Sequence, residues 1–401
     1  LTTAADQTVS AAEHRTTIFD ASIVALLVAG VCTFLDVYAT QSLLPFLRRY
    51  YGAGEVEVSL TISATTFAIA LAAPFVGAMA EALGRKRVIV PAMFGLSVPT
   101  FLAATAPSLK LLIFWRFAQG LFVPGIIAVI MAYVGEEWAP NMVGTAMAAY
   151  ISGTVLGGFL GRLVPGIVTS HWQWRTSFLV LGALNLLGAI LVQRLLPKAL
   201  HFKRKPTRET LADILGHLRN PRLIAAFNLG FAMLFSLVGT FTYVNFYLAA
   251  PPFSLNTAQL GTVFAVYLLG VLITPAAGRF MDRTGFRNTA YLFAVMMAAG
   301  LLMTLVPRLP VIITGLAIFS SGVFIAQAAA TVQVGRVAGR ARSAASGLYV
   351  TFYYAGGSLG ALVPGWAWHT HQWHGVIAVL LVATAVTFAL AMMTASTPKT
   401  V

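Results

Sequence analysis

Long apolar runs separated by short polar stretches make up the chain from end to end. A helix that crosses a bilayer needs about 20 mostly apolar residues, because the hydrocarbon core is about 30 Å thick. Runs of that length fall at about 21–45, 57–80, 88–106, 109–135, 142–168, 176–196, 222–249, 258–281, 289–307, 309–334, 343–367 and 375–395, which predicts about twelve membrane-spanning helices. Glycine and proline inside these runs are compatible with that, since lipid-embedded helices tolerate both. The glycine-rich faces predict close helix packing. The alternating ten-residue segments of a membrane β-barrel are not the pattern seen. The expected fold class is an all-α integral membrane protein.

Polar segments divide the pattern. Residues 1–20 form a polar tail of mixed charge, without the basic, apolar and small-residue layout of a cleaved signal. The longest polar stretch is KALHFKRKPTRETLADILGHLRN, within residues 197–221. It reads as a linker with one short surface helix at about 208–218, serving as a tether or as a regulatory element. The chain thus divides into a tail (1–20), a first half (21–196), a linker (197–221) and a second half (222–396).

Composition narrows the class. Of 401 residues, 58% are hydrophobic and 9% charged. A soluble domain carries about 25% charged residues, so most of this surface must face lipid. The single cysteine, Cys32, excludes an internal disulfide and a cysteine-based metal site. The net charge of +14 would suit nucleic acid, but its placement argues against that partner. With both termini inside, about 19 Lys and Arg fall in inner loops and about 5 in outer loops, the positive-inside bias. The charge orients the protein and meets anionic lipid.

The two halves repeat. GAMAEALGRKR at Gly77–Arg87 recurs as GRFMDRTGFR at Gly278–Arg287, each after the second helix of its half. GGFLGRLVPG at Gly157–Gly166 recurs as GGSLGALVPG at Gly356–Gly365. Both pairs are offset by about 200 residues, which points to two related halves with a site at mid-membrane between them.

On these motifs the chain resembles the major facilitator superfamily over nearly its whole length. The family's loop after helix 2, Gly-x-x-x-Asp-Arg/Lys-x-Gly-x-Arg, is matched by Gly278, Asp282, Arg283, Gly285 and Arg287. The first copy keeps Gly77, Gly84, Arg85 and Arg87 but has Glu81 for Asp and Ala82 for the basic residue. RFAQG (Arg116–Gly120) is similar to an element of helix 4. Gly153, Gly157, Gly158, Gly161, Pro165 and Gly166 resemble the glycine-rich motif of drug:proton antiporters. There, Gly157-Gly158 replaces the usual Gly-Pro pair, and Arg162 stands where a second glycine is common. That variant, with WQWRTSF after it and LAAPPFSL after helix 7, resembles the sugar-efflux and YnfM-like branches. The resemblance implies a transporter of two six-helix halves, with helices 1, 4, 7 and 10 lining the cavity.

The same residues have physical readings. Gly77 and Gly278 are expected to let helices approach closely. Glu81 and Asp282 end a helix where a carboxylate can face the positive N-terminus of a neighbour. Arg85 and Arg87 can pair with Glu136 or Glu137 and so close an inner gate, or be solvated loop charges. Gly157, Gly161 and Pro165 are expected to serve packing and hinge motion.

Buried charge is the sharper signal. Every acid but Asp36 lies in a loop, in the tail or at a helix end. A charge at mid-membrane costs about 2.5–3.5 kcal/mol on insertion scales, so its presence needs a reason. Asp36 and Arg116 are expected about 10–15 Å below the outer surface, from 1.5 Å of rise per residue. They form either a proton-coupling pair or a static ion pair. Arg162, nearer the outer end of helix 5, can attract an anionic substrate group or snorkel to lipid phosphate. Tyr38, Gln41, Gln119, Tyr243, Asn245, Gln327, Gln333, Tyr349 and Tyr353 are candidates to shape a substrate site, or to bond between helices. An apolar pocket with a few such groups suits an amphiphilic molecule. His369, His371 and His374 in WAWHTHQWH offer metal-binding or pH-sensing groups, but with Trp172 and Trp174 they read better as an interfacial aromatic belt, and no metal is expected.

The function expected is proton-coupled secondary transport by alternating access, most simply an antiporter exporting small amphiphilic organic compounds, drugs or sugars. The alternatives are a proton symporter importing a sugar or organic acid, and a lipid or lysolipid translocator. No buried histidine stands with a carboxylate, and neither paired acids nor a nucleophile elbow is present, which argues against an enzyme. No cofactor is expected beyond the proton gradient; one charge gains about 2.3 kcal/mol per 100 mV. The expected partners are a small-molecule substrate, protons and membrane lipids. The expected form is a monomer, in a bacterial cytoplasmic (inner) membrane.

Overall fold

The computed structural model describes residues 4–139, 141–197, 199, 216–338 and 342–395. Among these, every element is helical. The first half comprises α1 (Ala21–Tyr51), α2 (Glu55–Leu83), α3 (Arg85–Ala103), α4 (Leu109–Glu137), α5 (Val143–His171) and α6 (Trp174–Leu195). Residues from Ala4 run into α1 as continuous helix. The second half comprises α7 (Pro221–Ala249), α8 (257–284), α9 (286–303), α10 (Leu309–Val337), α11 (342–370) and α12 (373–395). Of the expected linker helix, only residues 216–218 lie within the described residues, and they are helical.

Two glycines explain why α2–α3 and α8–α9 turn where they do. Gly84 (φ 98, ψ 147) and Gly285 (φ 84, ψ 167) hold a left-handed backbone that side chains disfavour. They occupy matching places in the two sequence repeats. A second reversal, at His371 and Gln372, separates α11 from α12. The starts of helices are fixed by local chemistry. Ser108 accepts from the Leu111 N–H at the start of α4, and Asn256 with Gln259 forms a capping box at α8.

The repeat is also visible in packing. A Cβ at Gly153, Gly157 or Gly161 would run into the backbone carbonyl of Leu27, Val31 or Leu35, so α5 lies directly on α1. Gly356 and Gly360 press in the same way on the Phe231 and Phe235 carbonyls, so α11 lies on α7. These small residues give the backbone approach by which membrane helices associate. Gly77 and Gly278 do not act this way. No described atom lies within 4 Å of a Cβ built at either, which corrects the expectation of close approach there.

The halves meet away from the linker. Gln41 Nε2 donates to Thr242 Oγ1 at 3.3 Å, Ser63 and Ser358 share a hydrogen bond of 2.8 Å, and Thr257 Oγ1 donates to the Gly166 carbonyl at 2.9 Å. Gly166 itself permits the last contact, because a Cβ there would overlap the Thr257 backbone. All three lie toward the end of the bundle opposite the linker, termed here the far end.

Candidate functional site

A break in α1 organises the site. Pro45 has no N–H to give the Gln41 carbonyl, and its ring crowds that turn. The helix is interrupted after Val37, with a short 3-10 turn at Gln41–Leu43 before helix resumes. The Gln41 N–H bonds to the Tyr38 carbonyl, which leaves the Val37 carbonyl without a helical donor. At membrane depth such a group must find a partner in the protein.

Arg116 supplies that partner. Its Nη2 donates to Val37 O at 2.6 Å, its Nη1 to Asp36 O at 2.7 Å and its Nε to Thr61 O at 3.2 Å. Nη1 also reaches Gln119 Oε1 at 2.5 Å. The guanidinium is fully buried and ties α4 to the broken turn of α1 and to α2. Four residues on, Gly120 brings α4 against the Thr65 carbonyl of α2. These contacts correct the expected pairing with the Asp36 side chain. Among the described residues no Arg116–Asp36 ion pair forms; the arginine donates instead to the Asp36 and Val37 carbonyls at the break, to the Thr61 carbonyl of α2 and to Gln119.

Asp36 has no exposed surface. Its Oδ2 accepts from Thr100 Oγ1 of α3 at 2.9 Å and from Asn185 Nδ2 of α6. Thr100 in turn accepts from Gln119 Nε2 at 2.8 Å. A continuous network therefore runs from Arg116 through Gln119 and Thr100 to Asp36 and Asn185. Two oxygens in it are sealed and unbonded, Asp36 Oδ1 and Asn185 Oδ1. An orphaned buried acceptor costs about 1–3 kcal/mol, so this pair is an unusual feature of the interior.

On the other side of the break lies Arg162. Its guanidinium carbon sits 4.4 Å from the ring centre of Tyr38, 4.7 Å from that of Phe264 and 4.9 Å from that of Tyr267. Its Nε donates to Gln41 Oε1 at 2.8 Å, and its Nη1 to its own helix at Gly158 O. Ser42 Oγ donates to the Arg162 carbonyl at 2.7 Å. The cage draws on α1 and α5 of one half and α8 of the other. Each desolvated cation–aromatic contact contributes about 0.5–2 kcal/mol, comparable in sum to the cost of placing arginine in a membrane. No acid pairs with Arg162 among the described residues.

The comparisons with known proteins agree with this architecture. The model of the Major Facilitator Superfamily matches residues 26–361, and again 247–401. The chain belongs to the major facilitator superfamily. It is 32% identical over 367 residues to an uncharacterized MFS-type transporter, YybF, of Bacillus subtilis (strain 168), covering 91% of each chain. It is 35% identical over 364 residues to the inner membrane transport protein YnfM of Escherichia coli (strain K12), covering 89% of this chain and 87% of that one. Among solved structures, a point mutant of the nucleoside transporter NupG superposes with a TM-score of 0.76 at 15% identity, over 93% of this chain and 99% of that one. The human organic anion transporter MFSD10 superposes with a TM-score of 0.72 at 17% identity, over 93% and 99%. Such distant likeness speaks to the fold. The chain is therefore a membrane-spanning transporter of this superfamily and not an enzyme.

The superfamily loop after α2 is partly engaged. Arg85 forks onto Glu136, Nη2 to Oε1 at 2.5 Å and Nε to Oε2 at 3.0 Å. This clasp joins α3 to α4 within one half, so it does not itself bridge the halves as an inner gate would. Lys86 donates to the Gln193 and Leu196 carbonyls, closing the last turn of α6. Arg87 is exposed, and Glu81 and Glu137 are partly buried. In the second copy Asp282, Arg283 and Arg287 are exposed and form no ion pair among the described residues. A cavity of about 670 Å³ opens at this end, lined by Gly84, Arg85, Arg87, Val90 and Gln193. None of the membrane-interior polar residues named above borders it.

Several expected substrate contacts are occupied in packing. Tyr243 donates to the Ala361 carbonyl at 3.0 Å, and Asn245 to the Phe241 carbonyl of its own helix at 2.5 Å. Both are sealed within α7 contacts. Gln333 donates to the Thr394 carbonyl of α12 at 3.2 Å, so it faces away from the centre. Gln327 accepts from Tyr353 at 2.8 Å, and Tyr349 stacks on Tyr353 at 5.8 Å in the space that Gly230 leaves. Tyr353 and Tyr354 of α11 lie close enough to Tyr38 to interact electrostatically, as does Tyr353 with Tyr267. Gln41, Gln119, Tyr38, Arg162 and Tyr353 thus converge near the α1 break, and Tyr243, Asn245 and Gln333 do not. The aromatic belt also needs correction. Trp172 and Trp366 are exposed, but Trp174 is buried against Tyr50, Tyr51 and Phe178. Residues missed from sequence are Thr100, Asn185, Phe264, Tyr267 and Tyr354, each a neutral residue inside an ordinary apolar run.

Proposed function

We propose that this chain is a proton-coupled secondary transporter working by alternating access, an antiporter that exports small amphiphilic organic compounds from a bacterial cytoplasm. Asp36 carries the reading. It is the one acid set deep in a span, it is fully buried, and its Oδ1 has no partner. A proton on Oδ1 turns an orphaned acceptor into a donor and leaves Oδ2 to its two donors.

The α1 break makes the coupling mechanical. Asp36 precedes the interruption, and Tyr38 and Gln41 lie within it. Binding of a compound beside Tyr38 and protonation of Asp36 therefore act on the same few residues, from opposite faces. The basic linker supports a cytoplasmic position for the linker end by the positive-inside rule. The bonds Gln41–Thr242, Ser63–Ser358 and Thr257–Gly166 then lie toward the outside, and breaking them is the outward-opening step.

Proteoliposomes with a trapped pH dye test this. Amphiphilic drugs, sugars and organic acids are added in turn. A compound that drives protons opposite to its own movement supports the antiport reading. Proton movement in the same direction points to symport, and movement of compounds without protons contradicts coupling altogether.

A further inference from the structure

We propose that the site beside the α1 break takes an organic anion, a carboxylate or similar oxyanion on a flat apolar body, with Arg162 as the charged anchor. The inference rests on the transport reading above and names its substrate class. Its basis is a hydrogen-bond imbalance at the centre of the molecule. Arg162 Nη2 makes no hydrogen bond among the described residues, where Nε and Nη1 both do. The hydroxyls of Tyr38, Tyr267 and Tyr354 make none either. None of these four atoms is among the sealed, unbonded ones, so each opens onto free space although its residue is at least nine-tenths buried. The rings of Tyr38 and Tyr267 both flank the Arg162 guanidinium, and Tyr354 lies near Tyr38. Arg162 and these three tyrosines therefore leave hydrogen-bonding capacity unused in one neighbourhood, and each of the four groups can donate.

Apart from the tyrosine hydroxyls themselves, acceptors are scarce there. Gln41 Oε1 is taken by Arg162, and Gln327 Oε1 by Tyr353. Asp36 lies across the helix break, engaged by Thr100 and Asn185. A sugar's hydroxyls can bond to the tyrosine hydroxyls, which accept as well as donate, but would leave the Arg162 charge without a counter-ion. A cation would meet an arginine with no acid beside it. An oxyanion has only acceptors, matches the donors, and supplies the countercharge that Arg162 lacks. Phe264 and Phe324, which contact Tyr267, offer apolar surface for the rest of the molecule.

The test is binding to the purified full chain by calorimetry, with naphthoate, its neutral isostere naphthamide and the cation naphthylmethylammonium as probes. Naphthoate is expected to bind in preference to both. Arg162→Gln is expected to weaken naphthoate by about thirtyfold or more, and Arg162→Lys by less. Should Arg162→Gln fail to fold, Tyr38→Phe and Tyr267→Phe keep the rings over the guanidinium and remove only the hydroxyls. Each is expected to weaken naphthoate and leave naphthamide unchanged. Equal binding of amide and acid, an Arg162→Gln affinity like wild type, or no binding of naphthoate overturns the proposal. The transport reading is scored apart, by proton flux in proteoliposomes. Asp36-dependent flux with neutral or cationic compounds alone would leave transport standing and the anion site refuted. Naphthoate binding without flux would leave the site standing and count against transport of that compound.

Discussion

Arg116 shows how a single residue's role depends on backbone that sequence alone does not display. Its charge at depth was legible, and so was its place near Asp36. The contact it makes was not, because it answers to carbonyls freed by a break in another helix. Lysine at 116 would keep the charge and lose the fork. It can satisfy one of the carbonyls at Asp36, Val37 and Thr61 and would leave others bare. Arg116→Lys is expected to destabilise the protein by about 2–4 kcal/mol, read as a lower unfolding midpoint in detergent. A midpoint equal to wild type would contradict the capping role. Asn185 bears on the acid directly. Asn185→Leu removes a donor to Asp36 Oδ2 and is expected to change the pH dependence of transport while leaving the fold intact. An unchanged pH profile would reduce Asn185 to packing. Nothing in an apolar run marks Asn185 or Thr100 as partners of Asp36, since pairing across α1, α3 and α6 is a tertiary fact.

At the scale of elements, the helices were readable from runs of apolar length, and the repeats from two motifs at one offset. The glycines illustrate both success and failure of that reading. Gly157 and Gly161 sit on the Val31 and Leu35 carbonyls, as a packing role implies, while Gly77 and Gly278 face open space. Sequence shows the glycine and not the neighbour. Gly157→Ala and Gly161→Ala are each expected to cost about 1–3 kcal/mol and to lower the yield of folded protein, because the added methyl meets backbone that cannot rotate away. Gly77→Ala and Gly278→Ala are expected to fold like wild type. Fluorescence-detected size exclusion distinguishes these outcomes, and equal loss at all four positions would contradict the packing account. The break in α1 was foreshadowed only by Pro45. The long hydrophobic run carries no other sign that helix ends at Val37.

For the whole molecule, the closure of the far end is the feature that the proposed alternating-access cycle must undo. Ser63 and Ser358 bond across the halves at 2.8 Å, which places their Cβ atoms within reach of a disulfide. Only Cys32 need be removed first, and it is buried and free. In a Cys32→Ala background, Ser63→Cys with Ser358→Cys is expected to cross-link under mild oxidation and to stop transport, with recovery on reduction. Full transport by the oxidised form would mean that the halves do not part at this place. The proposed division of labour between the two faces of the α1 break was not legible in sequence, because Arg162, Tyr267 and Tyr354 come from three helices in two halves.

The central claim is that Asp36 is the proton's binding place. Its most direct test compares wild type with Asp36→Asn in proteoliposomes loaded with a pH dye. Asparagine is nearly isosteric, keeps an acceptor for Thr100, and cannot be protonated in turn. The account predicts that the variant folds and exchanges substrate between equal pools, yet moves no protons with it. Proton movement at the wild-type rate in Asp36→Asn would contradict the account and leave Asp36 a structural acid at the break of α1.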